Sequence, residues 1–296
     1  MLRKITIATL ILVMISSINI FSQDMIQIKG SDTLVNLVQR LSEVYMEKYP
    51  DSYIAVTGGG SGVGIAALIS NRIAIADASR PMKDKEYAAA KENGVAPYEL
   101  VIGIDGLSVI INSNNPIKSL TTNQIGAIFR GEINNWSEVG GPNLPISLYG
   151  HQANSGTYVF FQEHVLQNKN YSAKMKRMNG NAQIVEGIKA DKSGIGYVGV
   201  GYVFDENRKV IDGITVLEVA NDSKSKPVTP LVAENVKSGL YPISRALYQY
   251  VNGKPTGDVK KFIAFELSAD GQKVVEEMGF FPVAGKYLEQ NAKAGL

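Results

Sequence analysis

Short runs rich in β-branched and aromatic residues alternate with amphipathic helical runs along most of the chain. This alternation is typical of layered α/β folds, in which helices cover the faces of a β-sheet. The pattern predicts strands at Ile26–Ile28, Tyr53–Thr57, Ile73–Ala76, Leu100–Ile104, Ser108–Asn112, Ile146–Tyr149, Gly196–Val200 and Thr215–Val219. It predicts helices over residues 32–49, after residue 62, and over residues 156–166, 258–267 and 269–278.

The N-terminus has the pattern of an export signal. Arg3 and Lys4 precede an apolar run over residues 5–15, and polar residues then end the run before it reaches membrane-spanning length. We therefore expect a signal peptide over residues 1–22, with cleavage near Ser22. A retained N-terminal anchor is the alternative.

Composition narrows the class of protein. The chain has no cysteine, which excludes disulfides, thiolate metal sites and an N-terminal lipidated cysteine, so we expect a freely diffusing periplasmic protein. Without Arg3 and Lys4, the 30 Lys and Arg residues become 28, equal to the 28 Asp and Glu residues. A neutral, unclustered balance argues against nucleic acid as a partner.

Two segments are candidates for crossings between domains. Gly103 and Gly106 bracket a strand that would otherwise continue into residues 107–111, and such a site can act as a hinge. The segment Tyr241–Arg245 is the candidate for the return crossing. We expect a first lobe of residues 24–104 plus 236–296 and a second lobe of residues 105–235; a simple linear domain pair is the alternative.

Three segments share one local design, in which a strand leads through a Gly/Ser-rich turn into a helix start. They are Gly30-Ser31-Asp32-Thr33, the turn Gly58–Gly64, and Asn154-Ser155-Gly156-Thr157. A helix start exposes unpaired backbone N–H groups and the positive end of the helix dipole, so it favours anions. Ordinary helix capping is the alternative for each segment alone.

Arg80 lies in Ala76-Asp77-Ala78-Ser79-Arg80-Pro81, where Pro81 ends a strand. Open α/β sheets bind ligands at the carboxyl ends of their strands, and a guanidinium holds a tetrahedral oxyanion through paired N–H groups. We therefore expect Arg80 to reach the anion; a surface arginine is the alternative.

These motifs resemble a known family. Together with Phe129-Arg130-Gly131-Glu132-Ile133-Asn134-Asn135-Trp136, they make the mature chain similar to the periplasmic phosphate-binding protein of the phosphate-specific ABC importer. That family belongs to the type II periplasmic-binding-protein superfamily. The resemblance implies an α/β fold of two lobes, each a central mixed β-sheet flanked by helices, joined by crossover strands.

The resemblance also implies a function and a set of contacts. The chain is expected to capture inorganic phosphate and deliver it to a membrane ABC permease, as a monomer without cofactor, metal or enzymatic activity. The residues expected to bind phosphate are Ser31, Thr33, the backbone N–H of Leu34, Ser61, Arg80, His151, Ser155, Gly156 and Thr157.

One position departs from the family pattern. Members usually carry an Arg four residues before the Ser of the S-G-T motif, and here that residue is His151. His151 is expected to donate to the anion, either protonated or from one nitrogen when neutral; a loop histidine outside the site is the alternative. Asp32 and then Asp77 are the candidate acceptors for the phosphate proton, with capping or a salt bridge as their alternatives.

Other functions stay open at this level. Another tetrahedral oxyanion, such as sulfate or molybdate, would suit the same donors, and a surface interaction or sensor protein can use the same fold. A Ser155 hydrolase would need a base and an orienting group, but His151 and His164 are the only histidines. A nucleotide site would rest on Gly62-Val63-Gly64-Ile65-Ala66-Ala67, which lacks the acidic residue about 20 positions on.

Overall fold

The computed structural model describes residues 25–293 and 295. The expected signal peptide over residues 1–22 lies outside these residues.

Twelve strands and ten α-helices make up the described part of the chain. The strands are β1 (Ile26–Gly30), β2 (Ile54–Thr57), β3 (Ile75–Ala78), β4 (Pro97–Gly106), β5 (Ser108–Asn112), β6 (Ser119–Thr121), β7 (Ser147–His151), β8 (Lys176–Met178), β9 (Gly194–Val198), β10 (Ile214–Val216), β11 (Glu218–Ala220) and β12 (Ser244–Asn252). The helices are α1 (Val35–Lys48), α2 (Ser61–Ile69), α3 (Asp84–Glu92), α4 (Thr122–Arg130), α5 (Gly156–His164), α6 (Asn181–Ala190), α7 (Ala233–Lys237), α8 (Gly257–Glu266), α9 (Ala269–Glu277) and α10 (Lys286–Ala292).

The first sheet has the strand order β2-β1-β3-β12-β4. Its strands β1, β2 and β3 are parallel, whereas β12 pairs antiparallel with both β3 and β4. Because parallel strands end at the same edge of a sheet, the turns that follow β1, β2 and β3 lie side by side. These turns carry Thr33, Ser61 and Ser79.

The second sheet has the order β10-β5-β9-β7-β8, with β7, β8 and β9 parallel and β5 and β10 antiparallel to their neighbours. His151 ends β7, and the turn after it begins α5 with Ser155 as its N-cap. Both sheets are therefore mixed and flanked by helices, as expected from the sequence.

The chain passes from the first sheet to the second between β4 and β5, and it rejoins the first sheet at β12. β4 of the first sheet ends at Gly106, and β5 of the second sheet begins at Ser108. The Leu107 backbone N–H donates to the Ile243 carbonyl at 2.9 Å. The Tyr241 hydroxyl donates to the Leu107 carbonyl at 2.8 Å, so the two crossings are hydrogen-bonded to each other.

The hydrophobic pattern located most strands within three residues but missed β6, β8 and β12. That segment, Ser244–Asn252, alternates less clearly because it is buried on both faces, with Arg245 and Gln249 among its buried residues. Its pairing with β3 and β4 is decided by long-range contacts. The helices over Asp84–Glu92, Thr122–Arg130 and Asn181–Ala190 were also absent from the prediction.

Candidate functional site

The starts of two helices from different sheets meet at one point. α2 begins at Ser61 in the first sheet's layer, and α5 begins at Gly156 in the second sheet's layer. The backbone N–H groups of Ser61 and Gly156 have no hydrogen-bond acceptor among the described residues. Such N–H groups point beyond the helix end, where the helix dipole is positive, so both starts favour a shared anion.

Five hydroxyl groups cluster where these helices meet. Their residues are Ser31, Thr33, Ser61, Ser79 and Thr157, and each is at most 1% exposed. We call them the hydroxyl cluster. Four come from the turns of the first sheet, and Thr157 comes from α5 of the second.

Direct hydrogen bonds connect the cluster across the two sheets. The Thr33 and Thr157 hydroxyl oxygens lie 2.9 Å apart, and so do those of Ser31 and Ser79. The Ser79 hydroxyl is 3.4 Å from Ser61 and 3.5 Å from Thr157. Because a hydroxyl both donates and accepts, each of these groups can turn its hydrogen toward an anion.

Two glycines allow the start of α5 to lie close to the turns of the first sheet. Gly60 precedes α2 with φ of 92°, a left-handed conformation that favours glycine. A Cβ on Gly156 would lie 2.7 Å from the Ser79 hydroxyl oxygen and closer still to that of Ser61. The backbone of α5 therefore touches the turns of the first sheet, and a side chain at this position would separate them.

Arg245 supplies the positive charge next to the hydroxyl cluster. Its Nη2 donates to Thr157 Oγ1 at 3.1 Å and lies 3.4 Å from Thr33 Oγ1, while Nη1 donates to the Ser79 carbonyl at 3.0 Å. Its Nε and Nη2 donate to Asp105 Oδ2 at 2.9 and 2.8 Å. Arg245 and Asp105 are 6% and 0% exposed, so this is a buried ion pair.

This ion pair belongs to the crossings themselves. Arg245 is opposite Asp105 in the β12–β4 pairing, at the end of the first sheet where the chain passes to the second. Asp105 Oδ1 also accepts the Val200 backbone N–H at 2.8 Å, from the segment after β9. Arg245 therefore donates hydrogen bonds to groups of both sheets from the position where the sheets are connected.

Further hydrogen bonds join the two sheets around the cluster. Asn154 Nδ2 donates to the Gly59 carbonyl at 2.8 Å, and the Gly62 N–H donates to the Asn154 carbonyl at 3.1 Å. On another side, the Tyr202 hydroxyl donates to the Asp32 carbonyl at 2.7 Å. These contacts hold the second sheet's turns against those of the first.

His151 lies beside this site and is neutral. Its ring is 1% exposed, and Nε2 lies 3.1 Å from the Tyr197 carbonyl. A carbonyl only accepts hydrogen bonds, so Nε2 carries the hydrogen. Burial, aided by the charge of Arg245, lowers the His151 pKa to about 3. His151 therefore cannot replace the fixed positive charge of the family's arginine, and its one N–H is engaged by the Tyr197 carbonyl.

Arg80 pairs with Glu86 and not with the hydroxyl cluster. Its Nη1 and Nη2 donate to the two carboxylate oxygens of Glu86 at 2.8 and 2.7 Å, and Nη1 also donates to the Pro81 carbonyl. Burial alone would raise the pKa of Glu86, but hydrogen bonds from Arg80 and the Lys83 N–H lower it below the usual value. Among the described residues, Arg80 makes no hydrogen bond to the cluster; the arginine that does is Arg245.

The two candidate proton acceptors occupy different environments. Asp32 Oδ1 accepts the Gly59 N–H at 2.8 Å and so fastens the glycine turn next to the site. Asp77 is 1% exposed and accepts from Gln249 Nε2, which also donates to Glu266. Burial raises the pKa of Asp77 to about 7, and burial together with the Asp77 charge raises that of Glu266. The Asp77 carboxyl therefore forms its hydrogen bond within the protein core and, among the described residues, none with the hydroxyl cluster.

Leu34 and Ser155, which were also predicted to bind phosphate, take part in local hydrogen bonds. The Leu34 N–H donates to the Ser31 carbonyl at 3.0 Å. Ser155 caps α5, and its hydroxyl oxygen accepts the Thr157 N–H at 3.1 Å. No histidine or carboxylate among the described residues contacts the Ser155 hydroxyl, so the arrangement lacks the base that a serine nucleophile needs.

Sequence reasoning did not identify Arg245, Asp105 or Ser79 as site residues. Arg245 and Asp105 lie in the two predicted crossings, and a charged pair in hinge segments next to glycines was an available signal. Ser79 lies in the motif quoted for Arg80. Its role follows from the parallel order of β1, β2 and β3, which the hydrophobic pattern does not contain.

Residues 25–293 and 295 contain no group of three or more His, Cys, Asp or Glu side chains placed to hold a metal ion. None of their helices has the length and apolar character needed to cross a membrane.

Comparison with known proteins gives consistent matches. Residues 19–270 match the family model of the PBP superfamily domain. The phosphate-binding protein PstS of Pseudomonas aeruginosa is 30% identical over 285 residues, which cover 89% of this chain and 84% of that protein. The phosphate-binding protein PstS of Staphylococcus haemolyticus is 30% identical over 272 residues, covering 90% and 83%.

Solved structures agree with the sequence matches. A phosphate ABC transporter substrate-binding protein from Clostridium perfringens, solved with bound phosphate, has a TM-score of 0.78 and 29% identity. The match covers 88% of this chain and all of that one. An ABC-type phosphate transport receptor from Vibrio cholerae matches with a TM-score of 0.69 and 25% identity over 87% of this chain.

Proposed function

Because the chain belongs to the PBP superfamily and, within it, to the PstS-like phosphate-binding proteins, we propose that it captures inorganic phosphate between two lobes. The phosphate is then delivered to the membrane permease of an ABC importer. The lobes are residues 24–104 plus 236–296 and residues 105–235, which share the crossings near residues 104–107 and 241–245. The protein acts as a periplasmic monomer, exported by residues 1–22 without lipidation, and catalyses no reaction.

One observation carries the proposal: buried donors from both sheets converge on one point beside a single arginine. Thr33 and Ser61 come from the first lobe, Thr157 from the second, and Arg245 from a crossing. The N–H groups of Ser61 and Gly156 add two backbone donors. This is a set of fixed donors suited to an oxyanion, and the charge of Arg245 is already balanced by Asp105.

Capture requires the lobes to separate and close again. The Thr33 and Thr157 hydroxyls touch at 2.9 Å, so an oxyanion has to enter between them. Each hydroxyl then exchanges a neutral partner for a charged one, and a hydrogen bond to a charged group contributes roughly 1.5–3 kcal/mol. Several such bonds offset the dehydration of the anion. Closure is completed by the Asn154 and Tyr202 bonds between the lobes.

The ion pair of Arg245 and Asp105 links phosphate binding to closure of the lobes. Arg245 contacts the cluster and Asp105, and Asp105 contacts Val200 of the second lobe. A ligand that draws the Arg245 guanidinium toward itself therefore acts directly on the connection between the lobes. The closed shape is then the form that a permease recognises.

Calorimetric titration of the mature protein with phosphate, sulfate and molybdate at several pH values between 6 and 8 tests the proposal. We expect saturable binding of phosphate at one site. Binding of sulfate or molybdate instead of phosphate would favour the other oxyanion function. Absence of binding by all three would favour an interaction or sensor role for the same fold.

A further inference from the structure

A small cavity lies between the turns of the two lobes, beside the start of α5. Its volume is about 170 Å³. The residues that line it are Asp32, Gly59, His151, Gln152, Asn154, Ser155, Met178, Asn179 and Gly180. Ser155 is the N-cap of α5, so the cavity reaches the helix start at which the anion is proposed to bind.

The wall of this cavity contains a hydrogen-bond acceptor that the proposed capture of phosphate has not used. His151 Nε2 donates to the Tyr197 carbonyl, which leaves Nδ1 with a lone pair and no hydrogen. Among the described residues, Nδ1 has no hydrogen-bond partner, although the ring is 1% exposed. The tautomer is fixed by a backbone carbonyl of β9, the strand adjacent to β7 in the sheet.

The chemistry of the ligand gives such an acceptor a use. Inorganic phosphate keeps at least one proton near neutral pH, whereas sulfate has none. Arginine and backbone N–H groups only donate, so they bind both anions equally well. A lone pair that faces the anion attracts a P–OH group and repels an unprotonated oxygen, and a site with such a lone pair rejects an analogue that lacks the hydrogen.

The structure therefore points to a specific role, which rests on the proposed function. We propose that His151 Nδ1 accepts a hydrogen bond from the P–OH group of bound phosphate and thereby selects protonated oxyanions over sulfate. In this role His151 replaces the family's arginine by a group of opposite hydrogen-bonding character.

The nearby charged groups are compatible with this role. Burial disfavours a protonated imidazole, and the charge of Arg245 acts in the same direction, so the Nδ1 lone pair is present at neutral pH. Asp32 also lines the cavity, but its Oδ1 is engaged by the Gly59 N–H. Asp105 is bound by Arg245, and Asp77 is bound by Gln249 in the core.

Two substitutions distinguish the roles of the two nitrogens of the His151 ring. In His151→Gln, the longer side chain can keep the donor to the Tyr197 carbonyl but has no acceptor at the Nδ1 position. In His151→Asn, the shorter side chain can keep an acceptor at that position. We expect His151→Gln to reduce the ratio of phosphate to sulfate affinity at least about tenfold, the effect of one hydrogen bond to a charged group. We expect His151→Asn to keep most of the selectivity, and His164→Gln, the same change at the exposed histidine of α5, to keep it fully.

Monofluorophosphate provides a second probe, because it is a tetrahedral dianion with fluorine in place of the hydroxyl group. Wild-type protein should bind it more weakly than phosphate at pH 8, and His151→Gln should bind the two with similar affinity. If wild-type protein binds phosphate but His151→Gln discriminates as well as the wild type, the inference is wrong and the proposed function stands. If wild-type protein binds no oxyanion, the proposed function fails.

Nitrogen NMR on histidine-labelled wild-type protein tests the inference even if a variant does not fold. The chain has two histidines, and His164 serves as the internal reference. Phosphate should move the His151 Nδ1 resonance in the direction of a hydrogen-bonded nitrogen, whereas monofluorophosphate should leave it unmoved. Equal shifts with both anions, or no shift with phosphate, would overturn the assignment.

Discussion

Replacing Thr157 by valine removes one hydroxyl from the cluster while keeping the shape of the side chain. Thr157 Oγ1 accepts from Arg245 Nη2 at 3.1 Å, so its single hydrogen is free to point to Thr33 at 2.9 Å or to an anion. Without ligand, the variant loses two buried hydrogen bonds: about 1 kcal/mol of unfolding free energy for the bond with Thr33 and roughly 1.5–3 kcal/mol for the bond with the charged Arg245. Arg245 keeps its bonds to Asp105, so the fold should survive.

With phosphate, the same substitution removes a donor to a charged ligand. That bond contributes roughly 1.5–3 kcal/mol, so Kd for phosphate should rise about 10- to 150-fold. Calorimetry gives Kd, and thermal unfolding with and without phosphate gives an independent value, because ligand stabilisation depends on the ratio of phosphate concentration to Kd.

The control is Thr256→Val, at an exposed threonine whose side chain makes no capping hydrogen bond. It should leave both Kd and the shift in melting temperature unchanged. A Thr157→Val protein that folds and binds phosphate within twofold of the wild type would refute the reasoning, because the cluster would then not be the binding site.

Asn154→Ala removes the bond to the Gly59 carbonyl across the cleft, so phosphate should dissociate roughly two- to tenfold faster in stopped-flow measurements. Arg80→Met leaves the partly buried Glu86 carboxylate without its partner, so we expect a loss of about 3 kcal/mol of unfolding free energy with unchanged phosphate affinity. The Asp77 pKa of about 7 means that the folded protein keeps a proton which the unfolded chain loses above pH 3.8. The wild-type unfolding free energy should therefore fall by roughly 4 kcal/mol as pH rises from about 4 to above 7, and by less in Asp77→Asn.

Matched controls exist for these three changes at exposed positions. Asn170→Ala, Arg72→Met and Asp51→Asn alter the same residue types without removing a buried contact. They should reproduce the wild-type dissociation rate, stability and pH dependence, respectively. Weaker phosphate binding in Arg80→Met, or an unchanged pH profile in Asp77→Asn, would contradict the placement of these side chains.

Asp77 and Glu266 are two buried carboxyl groups that share one hydrogen-bonding partner. Gln249 donates to both carboxyl groups from β12, the strand that also carries Arg245. The three side chains therefore fix the position of β12 against β3 and α8. Among the described residues, neither carboxyl group has a cation as a partner, so burial raises both pKa values. This gives the unfolding free energy the pH dependence described above.

Local sequence was sufficient to determine the fold class and most of the donors. Helix starts are built from residues close together in the chain, so Thr33, Ser61, Ser155 and Thr157 could be recognised from Gly, Ser and Thr at the ends of strands. The structure brings Thr33, Ser61 and Thr157 into one cluster. Glycines next to a strand end likewise indicated the first crossing.

Tertiary structure alone decided which arginine lies beside the hydroxyl cluster and which nitrogen of His151 carries the hydrogen. Arg80 and Arg245 both occur at strand ends or crossings, but Glu86 captures the first, and the pairing of β12 with β4 places the second beside Thr157, 88 residues away in sequence. The tautomer of His151 is set by a carbonyl 46 residues away on another strand. A charge or a lone pair is directed by the nearest buried partner, and such partners are brought together by sheet order, which local spacing does not encode.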